Sequence, residues 1–107
     1  MPSENIRNVY HDWVPITPTV VYSVPSGYQA LVKPVRAYNA SVATTVRLNL
    51  YQGSGITRRT VFGVDVDPQG LVVDDSPIAV ASGNPLFASQ NVASSITMHI
   101  TAIERPA

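Results

Sequence analysis

The chain has 107 residues and a mass of 11.5 kDa, which fits one compact domain. Seven Lys plus Arg balance seven Asp plus Glu, so the formal net charge is zero, which argues against a dedicated binder of polyanions or nucleic acid. There is no cysteine, so disulfides, thiolate metal sites and a Cys nucleophile are excluded. The apolar residues come in short pieces, none near the roughly 20 needed to span a bilayer as a helix. Met1-Pro2-Ser3-Glu4-Asn5 carries neither the basic nor the apolar region of a signal peptide. The expectation is a soluble protein made in the cytoplasm.

Sixteen Val, seven Ile and eight Thr stand against five Leu and only three Lys plus Glu. β-branched side chains suit a pleated surface, and the residues that populate helix surfaces are nearly missing. Nine Pro and six Gly cut any helical reading into fragments. The predicted class is all-β.

Residues 1–17 show no sustained period and carry Tyr10, Trp13 and Pro15. They read as an extended N-terminal arm rather than a strand, with the domain proper at 18–107. The run Thr-Val-Val-Tyr-Ser-Val at 19–24 predicts a first strand, ended by the turn triplet Pro25-Ser26-Gly27. A second strand spans 28–38 with Leu31, Val35 and Ala37 facing in. Pro34 cannot donate to a ladder, so a bulge or a sheet edge is expected there. The clearest alternation lies at 45–51: Val46, Leu48 and Leu50 on one face, Arg47, Asn49 and Tyr51 on the other. Residues 57–64 predict a strand opened by Arg58, with Val61 inward. Asp67-Pro68-Gln69-Gly70 is a turn signature. Short strands at 71–73 and 77–80 flank Asp74-Asp75-Ser76. A turn at Ser82-Gly83-Asn84-Pro85 precedes Leu86-Phe87-Ala88. The last strand, 95–104, places Ile96, Met98, Ile100 and Ala102 on one face. Seven to eight short strands at this spacing predict a single antiparallel β-sandwich or jelly roll.

Chemistry is thin. His11 and His99 are the two histidines, with no His-x-His pair or nearby Glu for a metal. No Gly-x-Ser-x-Gly elbow or glycine-rich phosphate loop is present. Asp65, Asp67, Asp74 and Asp75 would hold Ca²⁺ only if their loops converged, and turn-forming Asp is the commoner explanation. The expectation is a protein that is not an enzyme, with no catalytic residue, metal or cofactor. The candidate partner-interface residues are Tyr10 and Trp13 in the arm, Arg58 and Arg59, and Asp74 and Asp75, since aromatic and charged groups populate interfaces. Tyr10 and Trp13 would equally well cap their own sandwich.

Val24-Pro25-Ser26-Gly27-Tyr28-Gln29-Ala30-Leu31-Val32 resembles the "VPAG-x-x-A-x-V" opening of small tailed-phage virion proteins. Asn39, the 45–51 strand, Gly83-Asn84-Pro85-Leu86-Phe87-Ala88 (similar to a "GD-x-L-x-A" turn and strand) and the Ser/Thr-rich 94–104 segment continue the resemblance. It departs at Ser26, where Ala is usual, and at Asn84, where Asp is usual. The resemblance implies a β-sandwich or jelly roll of the virion. It points to a capsid decoration or cement protein that forms a homo-oligomer and contacts the major capsid protein or other virion proteins. It brings no catalytic residues, and neither nucleic acid nor membrane is expected as a partner. A neck or tail component is the alternative within that class. Outside it stands a carbohydrate-binding sandwich with Tyr22, Tyr28, Tyr38 or Tyr51 as stacking platforms.

The zero net charge is unevenly distributed. From Trp13 to Val64 there is no acidic residue, and from Thr60 to Glu104 no Lys or Arg. Either the two halves interleave and neutralise locally, or basic and acidic surfaces meet complementary neighbours in an assembly.

Overall fold

A computed structural model describes residues 5–53 and 59–107, which form nine strands and no helix. In chain order they are β1 (Asn5–Trp13), β2 (Thr19–Tyr22), β3 (Tyr28–Asn39), β4 (Val46–Gln52) and β5 (Arg59–Val66), then β6 (Leu71–Asp74), β7 (Ile78–Ala81), β8 (Leu86–Gln90) and β9 (Ile96–Pro106). They build two antiparallel sheets. The five-stranded sheet runs β1-β9-β3, with β6 and β7 both paired along the far side of β3; the four-stranded sheet runs β2-β8-β4-β5. The architecture is the expected β-sandwich. β3, with 12 residues, and β9, with 11, run side by side through the larger sheet. At about 3.3 Å per residue they reach close to 40 Å, which accounts for most of the 49 Å long axis.

The core lies between the sheets. Val46, Leu48 and Leu50 of β4 face Ile96, Met98, Ile100 and Ala102 of β9, all nearly inaccessible to water. The alternation predicted for β4 and β9 is therefore the alternation of the fold. Polar groups close both ends. Near one end, Asn39 at the end of β3 donates from Nδ2 to Thr44 O (2.8 Å) and Val66 O (2.9 Å), and its Oδ1 accepts from the Ser41 N–H (2.9 Å). The buried Gln90 side chain donates to Val14 O (2.5 Å) and accepts from the Ile96 N–H (2.8 Å). Near the other end, Glu104 of β9 is 3% exposed. It accepts from Arg7 Nε (3.0 Å) and Nη2 (2.8 Å) of β1, and from the Tyr22 hydroxyl (2.5 Å) of β2. That cluster ties the two sheets together.

Four expectations are corrected, three of them for a related reason. Residues 5–13, read as an arm rather than a strand, are β1, an edge strand antiparallel to β9. A bulge between Asn8 and Tyr10 shifts the phase midway, so no single period runs through the segment. In β3 the register also shifts between Val32 and Val35, where the Lys33–Pro34 peptide is cis. The bulge expected at Pro34 is present, and it reverses the phase upstream. Ala30 and Val32 are buried, and Leu31 points outward. A third shift, between Leu50 and Tyr51, leaves Val61 as the extra residue of β5, 40% exposed instead of inward. Finally, β2 stops at Tyr22, although Val24 is still buried. The bulges in β1 and β3 flank β9 at the same level, beside Thr101, and bulges at one level sharpen the twist of the sheet.

The turns follow their sequences. The Tyr28 N–H donates to Pro25 O (3.0 Å) across a turn with Gly27 at φ +84°. The Gly70 N–H donates to Asp67 O (2.8 Å) across Pro68 and Gln69, the latter at φ +56°.

Candidate assembly surface

One face of the five-stranded sheet meets the core; the other carries an unusual set of side chains. Antiparallel register places directly opposed residues on the same face. Trp13 opposes Thr97, Thr97 opposes Tyr38, and Tyr38 opposes Leu71. These four residues form one row across β1, β9, β3 and β6. The next row is His11, His99, Arg36 and Val73. Four strands at roughly 4.8 Å spacing make each row about 15 Å wide. Trp13 is 46% exposed, Tyr38 41%, Leu71 57% and Val73 52%. A shallow cleft of about 240 Å³ lies between the rows, lined by His11, Arg36, Tyr38, Leu71, Thr97 and His99.

The two imidazoles stack, with ring centroids 4.9 Å apart and planes 22° apart. His99 Nε2 is buried without a hydrogen-bond partner among the described residues. Further along the face, the bulge residues Lys33 and Pro34 sit level with Thr101. No outward position of these five strands in the described residues is Asp or Glu. The surface is thus aromatic, apolar and basic.

The sequence candidates separate in space. Tyr10 is partly buried and packs against the core, its hydroxyl donating to Trp13 O (2.5 Å), whereas Trp13 lies on the outer face. Asp74 ends β6 and Asp75 follows it, at the opposite edge of the same sheet, and the Asp74 carboxylate accepts from the Ser76 N–H (3.2 Å). Arg59 opens β5 in the other sheet, opposite Gln52. Arg58 lies outside the described residues. The outer-face members Arg36, Leu71 and Val73 were not singled out from sequence, because only cross-strand register brings them beside Trp13 and Tyr38.

The charged halves of the chain interleave in part. Arg47 reaches Asp65 (3.3 Å) across β4 and β5, and Arg7 reaches Glu104 (2.8 Å). A Cβ on Gly63 would stand 2.6 Å from Arg47 Nη2, so that glycine leaves room for the guanidinium. Arg7 holds the Glu104 carboxyl below its ordinary range, chiefly through the two hydrogen bonds and against the cost of burial. Burial first, and the bond to Glu104 second, push the Tyr22 hydroxyl far upward. Tyr22 is 5% exposed, which removes it from the expected glycan platforms.

Asp65, Asp67, Asp74 and Asp75 do not converge, and no three His, Cys, Asp or Glu stand together among the described residues. A separate cleft of about 280 Å³ between β3, β7 and β9 has Gln29, Gln52 and Arg105 as its polar lining. A general base or nucleophile is not among its lining residues.

No protein-family model matches the chain, and no curated protein matches it. Solved structures do share its fold. One is from the Bacillus endospore appendages, a family of disulfide-linked pili: TM-score 0.58 at 12% identity, over 99% of this chain and 90% of that one. Another is a pentameric capsid protein from metagenomic phage sequences, seen in two structures with TM-scores of 0.50 and 0.51 at 21% identity. Those alignments cover 92% of this chain but only 62% and 60% of the capsid protein. The likeness is one of fold.

Proposed function

We propose that the chain is a non-enzymatic structural subunit of a virion, a capsid decoration or cement protein that works by surface docking. The observation that carries this reading is the outer face of the five-stranded sheet. Trp13, Tyr38, Leu71 and Val73 stand exposed there in two adjacent rows beside Arg36. Exposed apolar groups gathered on one face of a small soluble domain mark an interaction site more often than chance exposure does. A rigid sandwich that binds only the assembled shell stabilises that shell by mass action, and repetition over the shell turns modest contacts into avidity. The fold shared with a pentameric phage capsid protein supports the assignment, as does the sequence resemblance to small phage virion proteins.

The fold match to the endospore appendages, nearly complete over both chains, favours a second reading: a subunit of a fibre. With no cysteine, any such fibre is held without disulfides. A five-membered ring and a filament each repeat one heterologous contact, so both readings ask the chain for two different, complementary surfaces.

The test is co-sedimentation of the purified chain with capsids of the phage that encodes it, together with mass spectrometry of those virions. Binding, lost on Trp13→Ser/Tyr38→Ser, supports the decoration reading. Absence from virions with no capsid binding sinks it, and a low copy number per virion moves the assignment to neck or tail.

A further inference from the structure

We infer that the outer face of the five-stranded sheet docks the acidic β6 edge of a second copy, so that copies associate head to tail. The inference deepens the assembly reading above and rests on it. It begins from which charges the fold leaves without partners. Lys33 and Arg36, on or beside the face, make no ion pair among the described residues, and neither do Asp67, Asp74 and Asp75. Asp67 lies in the turn before β6; Asp74 ends that strand and Asp75 follows it. The three carboxylates therefore bracket a four-residue strand whose outer edge has no neighbour in the sheet among the described residues.

Charge selects the mode of contact. An isologous dimer, face on face, would bring Lys33 and Arg36 of one copy against those of the next. Among the described residues, no outward carboxylate of that face would answer them. Like charges set together at an interface cost several-fold in affinity or more. The acidic edge, presented to the basic face, matches unpaired anions with unpaired cations. Trp13 and Tyr38 then supply apolar area on the receiving face, and Leu71 and Val73 supply it beside the docking edge. The receiving rows of β1, β9 and β3 and the donating edge of β6 are different parts of one sheet, so each copy both receives and donates. Such a contact propagates as a ring or a filament instead of closing as a dimer.

Charge reversal with the full chain tests this. Lys33→Glu/Arg36→Glu gives an acidic face and an acidic edge; Asp67→Lys/Asp75→Lys gives a basic face and a basic edge. Arg36, Asp67 and Asp75 are exposed and Lys33 is half-buried at the bulge; Asp74 is left in place, and far-ultraviolet circular dichroism checks that each variant keeps the wild-type β spectrum. In sedimentation velocity from micromolar to millimolar concentration, wild type is expected to form species beyond the dimer, less so as salt is raised. Each variant alone is expected to need about tenfold or more higher concentration to associate. An equimolar mixture of the two is expected to recover association, because each face then meets an edge of opposite sign. Wild type that stays monomeric, that stops at a dimer, or whose variants associate unchanged overturns the inference, as does a mixture that recovers nothing. Capsid co-sedimentation of the same variants separates the two readings. Capsid binding without self-association overturns this contact and leaves the decoration role. Self-association rescued by mixing, without capsid binding, leaves the contact and sinks that role.

Discussion

Removing Arg7 should cost far more than an exposed edge residue usually does. Its guanidinium makes two hydrogen bonds to Glu104, whose side chain is 3% exposed. In Arg7→Ala the carboxylate stays inside with the Tyr22 hydroxyl as its remaining side-chain donor. Breaking a buried ion pair on one side costs about 3–5 kcal/mol. The Arg7 side chain is 52% exposed, so water already screens part of the attraction. The expected loss is therefore nearer 2–3 kcal/mol, a large share of the ~5–15 kcal/mol typical of a domain. For a chain of this size that lowers Tm by roughly 10–15 °C. Urea unfolding followed by far-ultraviolet circular dichroism gives the free energy directly.

Two companion measurements isolate the mechanism. In Arg7→Ala/Glu104→Gln the uncompensated charge is gone, so the double variant should be more stable than Arg7→Ala alone. The pH dependence of stability is the second. Arg7 holds the Glu104 carboxyl below its ordinary value, so in wild type its contribution is fully present above the ordinary carboxylate range. It is lost as pH falls through the lowered native value. Without Arg7, burial, which raises the carboxyl, is opposed by the Tyr22 hydrogen bond alone, so the carboxyl lies above its wild-type value. The deficit of Arg7→Ala should then shrink as pH falls from 7 toward 4. A loss below about 1 kcal/mol that is the same at both pH values would refute the reasoning.

Two further outcomes follow from the same physics. Asn39→Ala strips partners from Thr44 O, Val66 O and the Ser41 N–H in a closed end of the sandwich. At about 1–3 kcal/mol per stranded buried group, partly relieved by water, thermal unfolding should show a net loss of roughly 2–4 kcal/mol. Gly70→Ala would place a Cβ 2.9 Å from Asp67 O, a backbone atom of the turn that cannot simply swing away. It should cost about 1–3 kcal/mol in urea unfolding, as overpacking does, and a neutral result would mean the turn gives freely.

The strand composition, the turn tripeptides and the alternation of β4 and β9 are local properties, and each survives into the fold because side-chain period and backbone pleat are the same fact. The class, most strand positions and the inward set Val46, Leu48, Leu50, Ile96, Met98, Ile100 and Ala102 were legible for that reason. β1 was not. Its one-residue bulge breaks the period, and its inward Arg7 is a charge whose partner lies 97 positions away. Leu31 and Val61 were assigned to the wrong face by the same kind of shift, since one extra residue reverses every side chain beyond it. The candidate surface was legible only in fragments. Trp13 and Asp74–Asp75 could be suspected singly, but the rows joining Trp13 to Tyr38 and His11 to Arg36 exist only where β1, β9, β3 and β6 pair. The split of charge along the chain is likewise a sequence property. Tertiary structure decided its outcome: interleaved strands neutralised Arg47 with Asp65, and left Lys33 and Arg36 on one surface with Asp67, Asp74 and Asp75 on another. Composition determines what the strands are made of; long-range register determines which charges meet.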